Sequence, residues 1–339
     1  MRNLINLRHL NNSNVPSLEE MPPQLSQLTN LQALPNLVVG KDSESMVTEI
    51  GDPLFTIVVL VRLENCSKMS GVESVGLEFY GGGSLSFPLL ETLEFEDMQH
   101  WKEWYSCEGD EGIRVFLHLK TLSINRCPRL EGKLPENLDS LTNLMVHDCD
   151  QLVKELLAGN VTSSWPSEDR LLPYLISLRS LLIQSNSQIL QLHHLTSLQS
   201  LHIYKCPSLL YIPEASFPPY VEEIKIELCI SMMYFARSHL PTRASYPDHG
   251  NTRFEAIIIE RCANLKSLPE GLCHLANLRY LLVDYCTSHV SFPRGGLPTR
   301  SSNLTFISIA GCDKLKALPK GMDKDNLNSL QTLTKGMCV

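Results

Sequence analysis

Counting back three, five and eight residues from Cys262 reaches Ile259, Ile257 and Phe254. The same count from Cys127 gives Ile124, Leu122 and Leu119, and from Cys149 it gives Val146, Leu144 and Leu141. Cys206, Cys229, Cys286, Cys312 and Cys66 close the same phrase, L-x-x-L-x-L-x-x-C with any large apolar residue in the L slots. Two further units put another residue in the cysteine slot: Leu90, Leu93, Phe95 and Met98, then Leu178, Leu181, Ile183 and Asn186. A weaker unit near the start uses Leu7 and Leu10. Eight of the 11 cysteines are therefore accounted for by one repeated position. No pair is spaced C-x-x-C, so neither a zinc site nor the disulfide framework of a small secreted domain fits.

The spacing dictates a local structure. In L-x-L the two apolar side chains alternate along a short strand, so both enter a core while the residue between them faces outward. Such strands bury nothing alone, but stacked in parallel they pair their backbones and build a continuous ladder of aliphatic residues. Each fully buried Leu or Ile then stabilises by roughly 1.5–3 kcal/mol. The Cys or Asn turns inward where the chain leaves the strand, Cys as a small buryable side chain and weak donor, Asn as a partner for loop backbone. Successive slots lie between 20 residues (Asn186 to Cys206) and 37 residues (Cys149 to Asn186) apart. The leucine-rich repeat has a period of about 20 to 29 residues, so the longer gaps are loop insertions. The expected fold is an α/β leucine-rich-repeat solenoid, a horseshoe with a parallel sheet on its concave face. Degenerate repeats are expected over 1–40, shortened and irregular ones with an insertion loop over 41–118, and regular cysteine-type repeats over 119–339, cut short at the C-terminus.

After the cysteine the phrase often continues to a Leu and an apolar-Pro pair, as in Cys127-Pro128-Arg129-Leu130 with Leu134-Pro135, or Cys262-Ala263-Asn264-Leu265 with Leu268-Pro269. Proline fixes φ and removes a backbone donor, so the convex side should be mostly irregular, with little helix. The charge balance excludes other classes. With 29 Lys and Arg against 37 Asp and Glu the net charge is −8, a poor match for nucleic acid or an anionic membrane surface, which both need clustered bases. No apolar run approaches the roughly 20 residues of a membrane span, and the stretch from Met1 to Leu10 has nothing like a secretory signal core. An intracellular location is expected, the cytoplasm, with the nucleus also open.

The phrase L-x-x-L-x-L-x-x-C-x-x-L-x-x-L-P resembles the repeat of intracellular plant disease-resistance receptors of the nucleotide-binding, leucine-rich-repeat class. Longer strings look like the coiled-coil subgroup: Leu28 to Leu34, Val75-Gly76-Leu77-Glu78-Phe79-Tyr80-Gly81, Leu93 to Met98 followed by Trp101, Phe292 to Thr299, and Leu315 to Met322. The resemblance covers essentially the whole chain. It implies a recognition scaffold for a pathogen effector, a host protein or a nucleotide-binding switch domain. Family members bind ADP or ATP through a domain with a P-loop, and this chain carries no G-x-x-x-x-G-K-[ST]; Gly40-Lys41 and Gly132-Lys133 lack its context. No cofactor is expected in this chain, and it reads as a fragment or truncated product. An extracellular repeat receptor and a non-functional remnant are the alternatives.

Other signals are best read blandly. The pair His193-His194 lacks metal-ligand spacing. Gly81-Gly82-Gly83 opens no helix, and Asp323-Lys324-Asp325-Asn326 lacks the glycine and glutamate of a calcium loop. Trp101, Trp104 and Tyr105 read as aromatic caps over a repeat edge rather than a contact patch. Cys107, Cys273 and Cys338 have no neighbour that would activate a thiol. With no nucleophile–base pair or metal constellation, no enzyme is expected. What remains is the surface between the core positions, where outward side chains of neighbouring strands form rows. The candidate partner-binding residues are His202, Tyr204 and Lys205, then Glu223, Lys225 and Glu227, then Arg261, and then Arg279, Tyr280, Asp284 and Tyr285. Tyr and Arg are the commonest interface anchors.

Overall fold

The computed structural model describes residues 10, 34–39, 58–64, 73–75, 85–86, 89–105, 114–132, 134–135, 138–157, 175–185, 192–193, 195–213, 217–236, 253–298, 303–322 and 329–336. The chain forms two compact units, one of residues 1–156 and 172–178, the other of residues 157–171 and 179–339. Of the ladder positions read from the sequence, Cys66 and Asn186 lie outside the described residues.

In the first unit, strands β1 (Leu34–Val39), β2 (Val58–Glu64), β3 (Ser74–Val75), β4 (Leu85–Ser86), β5 (Thr92–Glu96), β6 (Glu103–Trp104), β7 (Arg114–Val115), β8 (Thr121–Asn125) and β9 (Asn143–His147) follow in order. The principal ladder is parallel and runs β1-β2-β5-β8-β9. Two-residue strands form side ladders, β3 with β6 and β4 with β7. Helix α1 (Asp150–Leu157) follows Cys149. Here the expectation of an irregular return fails for a local reason. Asp-Gln-Leu-Val-Lys-Glu-Leu-Leu has no proline, places Leu152, Val153 and Leu156 on one buried stripe, and sets Asp150 in its first turn and Lys154 in its last.

The second unit is one parallel ladder of β10 (Ser180–Gln184), β11 (Ser200–Tyr204), β12 (Glu223–Glu227), β13 (Ala256–Glu260), β14 (Tyr280–Asp284), β15 (Phe306–Ile309) and β16 (Thr332–Lys335). Strands β10 to β14 each show strict alternation of half-buried and buried residues, as the L-x-L phrase requires. The inward pairs Leu201 and Ile203, Ile224 and Ile226, Ile257 and Ile259, and Leu281 and Val283 are 0–1% exposed.

The described ladder cysteines take their expected inward place: Cys127, Cys149, Cys206, Cys229, Cys262, Cys286 and Cys312 are buried. The sulfur is also a register pin. In rung after rung Sγ–H reaches a strand carbonyl of the preceding repeat: Cys149 to Ile124 at 3.6 Å, Cys206 to Ile183 at 3.9 Å, Cys262 to Ile226 at 3.8 Å, Cys312 to Val283 at 3.2 Å. It shares the carbonyl two residues before it, as in Cys286 to Asp284 at 3.5 Å. These are weak bonds, but they satisfy a thiol that burial makes inert; burial pushes the Cys286 thiol up to about 12.

The residue before each slot adopts the left-handed conformation. Asp97, Arg126, Asp148, Ser185, Lys205, Leu228, Arg261 and Tyr285 have φ between 50° and 61°, and Gly311 has φ 61°. The turn aims the amide at the next rung: Arg126 N–H donates to the His147 carbonyl at 2.8 Å, Lys205 to Glu227 at 2.9 Å, Tyr285 to Ala310 at 2.7 Å. A non-glycine residue there costs about 1–2 kcal/mol, which the inter-rung bonds offset.

Each unit buries an aromatic cluster, Phe217 with Phe235 and Phe254 in the second at centroid distances of 5.7 and 6.1 Å. Around Met98 the first unit packs Phe95, Trp101, Trp104 and Phe116, with ring centroids 4.6 Å (Phe95–Trp101), 5.0 Å (Phe95–Trp104) and 6.2 Å (Trp104–Phe116) apart. Trp101 is 0% exposed and its indole N–H donates to the Glu103 carbonyl at 2.8 Å. The pair is thus core rather than an edge cap, while Tyr105 is 52% exposed. In the second unit His289 occupies the inward slot held elsewhere by Leu265 or Leu209. It is fully buried, neither ring nitrogen finds a hydrogen-bond partner of good geometry among the described residues, and its ring meets that of Phe292 at 5.1 Å. Burial lowers its pKa to about 4, so it is neutral.

Candidate protein-binding face

The outward positions of the second unit stand in exact Cα register. The first position of each strand gives the row Ser180, Ser200, Glu223, Ala256, Tyr280, Phe306. The middle position gives Leu182, His202, Lys225, Ile258, Leu282, Ser308, and the last gives Gln184, Tyr204, Glu227, Glu260, Asp284. Neighbouring strands are about 4.8 Å apart, so side chains along a row touch or nearly touch.

Of the residues singled out from the sequence, His202, Tyr204, Glu223, Lys225, Glu227, Tyr280 and Asp284 occupy these rows. Lys205, Arg261 and Tyr285 are the exposed left-handed residues just beyond the strands, and Arg279 is exposed immediately before β14. On β11 and β12 the structure joins the candidates into one cluster. His202 Nε2 lies 2.7 Å from Glu227 Oε2, and Lys225 Nζ lies 2.9 Å from the same oxygen. Burial lowers His202 below the usual imidazole range, against the pull of Glu227, so it is neutral at pH 7 and donates to the carboxylate. Burial acts to raise Glu227, but the hydrogen bonds from Lys225 and His202 outweigh it and hold the carboxyl below its usual range. Tyr204 packs on both sides, its ring 5.9 Å from that of His202 and 5.1 Å beneath the Lys205 ammonium.

On β13 to β15 the face changes character. Tyr280 and Phe306 stack with centroids 4.1 Å apart and planes 2° from parallel. Ala256, Ile258 and Leu282 lie beside them, all half-buried. Asp284 borders this patch. Its carboxylate accepts the Ser308 hydroxyl at 2.9 and 3.0 Å and the Ala310 N–H at 2.8 Å. Arg261 Nε is 3.4 Å from Glu260, with its guanidinium 5.9 Å from the Tyr285 ring centroid, and Arg279 is 3.6 Å from Glu255. Sequence reading missed Ala256, Ile258, Leu282, Phe306 and Ser308. The signal was present in Ala-Ile-Ile-Ile-Glu and Tyr-Leu-Leu-Val-Asp, where the residue between two inward aliphatics is itself aliphatic.

Among the described residues no group of three or more His, Cys, Asp or Glu is placed to hold a metal ion. No helix among them is long and apolar enough to cross a membrane. What the face offers chemically is shape, stacked rings and fixed charges.

Parallel rungs of strand, inward thiol and mostly irregular return define a leucine-rich-repeat protein. In sequence the chain is similar to plant disease-resistance proteins. It is 32% identical over 130 residues to an Arabidopsis thaliana protein named as disease resistance RPP13-like protein 1, covering 30% of this chain and 12% of that protein. It is 40% identical over 86 residues to a second Arabidopsis thaliana protein named for disease resistance, covering 24% of this chain and 6% of that one. The matched stretch is thus a small part of each relative's length. No family model matches the chain. Among solved structures it is similar to the leucine-rich repeat domain of the type III effector XCV3220 (XopL), with TM-score 0.48 and 18% identity over 96% of this chain and 86% of that one. The plant peptide hormone receptor RGFR1, solved in complex with RGF2, gives TM-score 0.31 and 16% identity over 92% and 66%. Both scores are too low to assign a fold, which rests on the strand ladder itself.

Proposed function

We propose that this chain is the recognition part of a plant disease-resistance receptor, a non-catalytic scaffold whose outward strand face holds a protein partner. The partner is a pathogen effector, a host protein or a nucleotide-binding switch domain supplied elsewhere, met in the cytoplasm or the nucleus. The observation that carries the reading is the in-register face of β11 to β15, where aromatic, aliphatic and charged side chains stand in rows on a rigid backbone. A preformed surface of that kind binds with little ordering cost. The similarity to disease-resistance proteins supplies the biological setting.

Photo-crosslinking amino acids placed at His202, Lys225 and Leu282, and separately at the exposed return-segment positions Lys266 and Lys314, test it in plant cells. Adducts to one discrete partner are expected from the strand positions alone; adducts from both sets equally, or from neither, contradict the reading. Calorimetry with ATP is expected to give flat heats, and a saturable titration would show a nucleotide site in this chain.

A further inference from the structure

We propose that the outward face of β13 to β15 is the docking point for a segment of the partner that presents an aromatic or long aliphatic side chain with a Lys or Arg one or two residues away. This rests on the reading of the strand face as the binding surface and names the chemistry it selects.

Three observations converge on that occupant. The first is composition. Outward positions on β5, β8 and β9 are Thr92, Glu94, Glu96, Thr121, Ser123, Asn125, Asn143, Met145 and His147, polar apart from the single methionine. On β13 to β15 the equivalent positions hold Ala256, Ile258, Tyr280, Leu282 and Phe306, adjacent in register. A contiguous apolar patch beside the polar outward residues of β11 and β12 marks a contact surface.

The second is shape. Tyr280 and Phe306 are already stacked, so one more side chain can pack on them without ordering either ring. Along the same row Ala256 is too short to cover much of the other side of the Tyr280 ring, and Ile258 and Leu282 floor the space beside it. Three strands span about 10 Å, room for one large side chain of an extended segment.

The third is charge. Glu227, Glu260 and Asp284 end three successive strands in register. Glu227 is satisfied by Lys225 and His202 and Glu260 lies 3.4 Å from Arg261, whereas Asp284 accepts a hydroxyl and an amide and, among the described residues, is paired with no cation. Those two bonds fix its carboxylate at the edge of the apolar patch. Burial first, and then the carboxylates of Asp284 and Glu260, push the Tyr280 phenol above its usual range, so their field falls on the patch. A cation beside the docked apolar group would meet it in a poorly hydrated setting, where charge complementarity gives specificity.

The test uses the full chain and fluorescein-labelled glycine-serine nonapeptides carrying one Trp and one Arg, separated by one or two glycines. Saturable anisotropy is expected, weakened about tenfold by Leu282→Ser, by Asp284→Asn, or by Glu in place of the peptide Arg. Lys314→Ala, at an exposed position of a return segment, should leave it unchanged. Circular dichroism melts of each variant separate lost binding from lost fold. Failure of every peptide to bind, equal binding of the Arg and Glu peptides, or indifference to Leu282→Ser overturns the proposal. So does a dimer in sedimentation that Leu282→Ser dissolves, because the occupant would then be a second copy of this chain. If the crosslinks from the strand face appear while these arms fail, the docking chemistry falls and the broader reading stands.

Discussion

The two units are built from one phrase and differ in what they put on the outside. In the first, Phe95, Trp101, Trp104 and Phe116 fill the interior near Met98, and the outward residues of β5, β8 and β9 are Thr, Ser, Asn, Glu and His, with Met145 the one apolar exception. In the second, Phe217, Phe235 and Phe254 join the aliphatics and thiols inside, and rings appear on the outside as well, at Tyr280 and Phe306. The L-x-L spacing fixes which residues must be apolar but leaves the residue between free. That freedom is where a repeat protein differentiates one stretch of surface from another, and an apolar choice there gives the ladder little, since cross-strand pairs contribute only about 0.2–1 kcal/mol.

The contrast can be broken most severely from inside the first unit. Trp101→Ala removes a fully buried indole and should cost about 3–5 kcal/mol in chemical unfolding followed by circular dichroism. A loss under about 1 kcal/mol would mean the aromatic cluster is not the core of that unit.

The second unit's interior has one flaw, His289, and pH exposes it. Its folded pKa of about 4 lies below the model-peptide value of about 6.5, so between those values the unfolded chain binds more protons. The stability it permits is intact above about pH 6.5 and falls as pH drops toward 4, by about 3 kcal/mol at the bottom of the window. His289→Leu should remove that part of the acid sensitivity and stabilise at pH 7 by about 1–3 kcal/mol, because it also removes an unpaired buried donor. Parallel unfolding titrations of the two proteins at pH 5 and pH 7 read both effects.

A smaller effect belongs to the turn. At Gly311 an added Cβ would stand 2.7 Å from Tyr285 Cδ1, at φ 61°. Gly311→Ala should cost about 1–2 kcal/mol in the same assay. Smallest of all, Leu282→Ser should change stability by under about 1 kcal/mol, since the side chain is half-buried and outward. A large loss there would show that the outward patch serves folding rather than contact.

Much of this was readable in the chain. The repeated phrase found the rungs β2, β5 and β8 to β15 but not β1 or β16, and the described inward aliphatics and thiols of those rungs lie where it put them. The left-handed residues were invisible because nothing marks them: Arg126, Lys205, Leu228 and Tyr285 have no preference for that conformation and are held there by inter-rung bonds. The side ladders of two residues carry no period to detect, and helix α1 came from the absence of proline after Cys149. At the candidate face the polar members were legible because charge stands out between aliphatics. Ile258 and Leu282 were not, since in a run of aliphatics only the register tells which ones face out.

Whether thiols point in and the intervening residues point out decides everything else, and pulsed maleimide labelling with site-resolved mass spectrometry measures it. In a chain carrying Ile258→Cys, the introduced thiol should label rapidly under native conditions while Cys262, Cys286 and Cys312 label only on unfolding. Ladder thiols that react as fast as the introduced one would contradict the account.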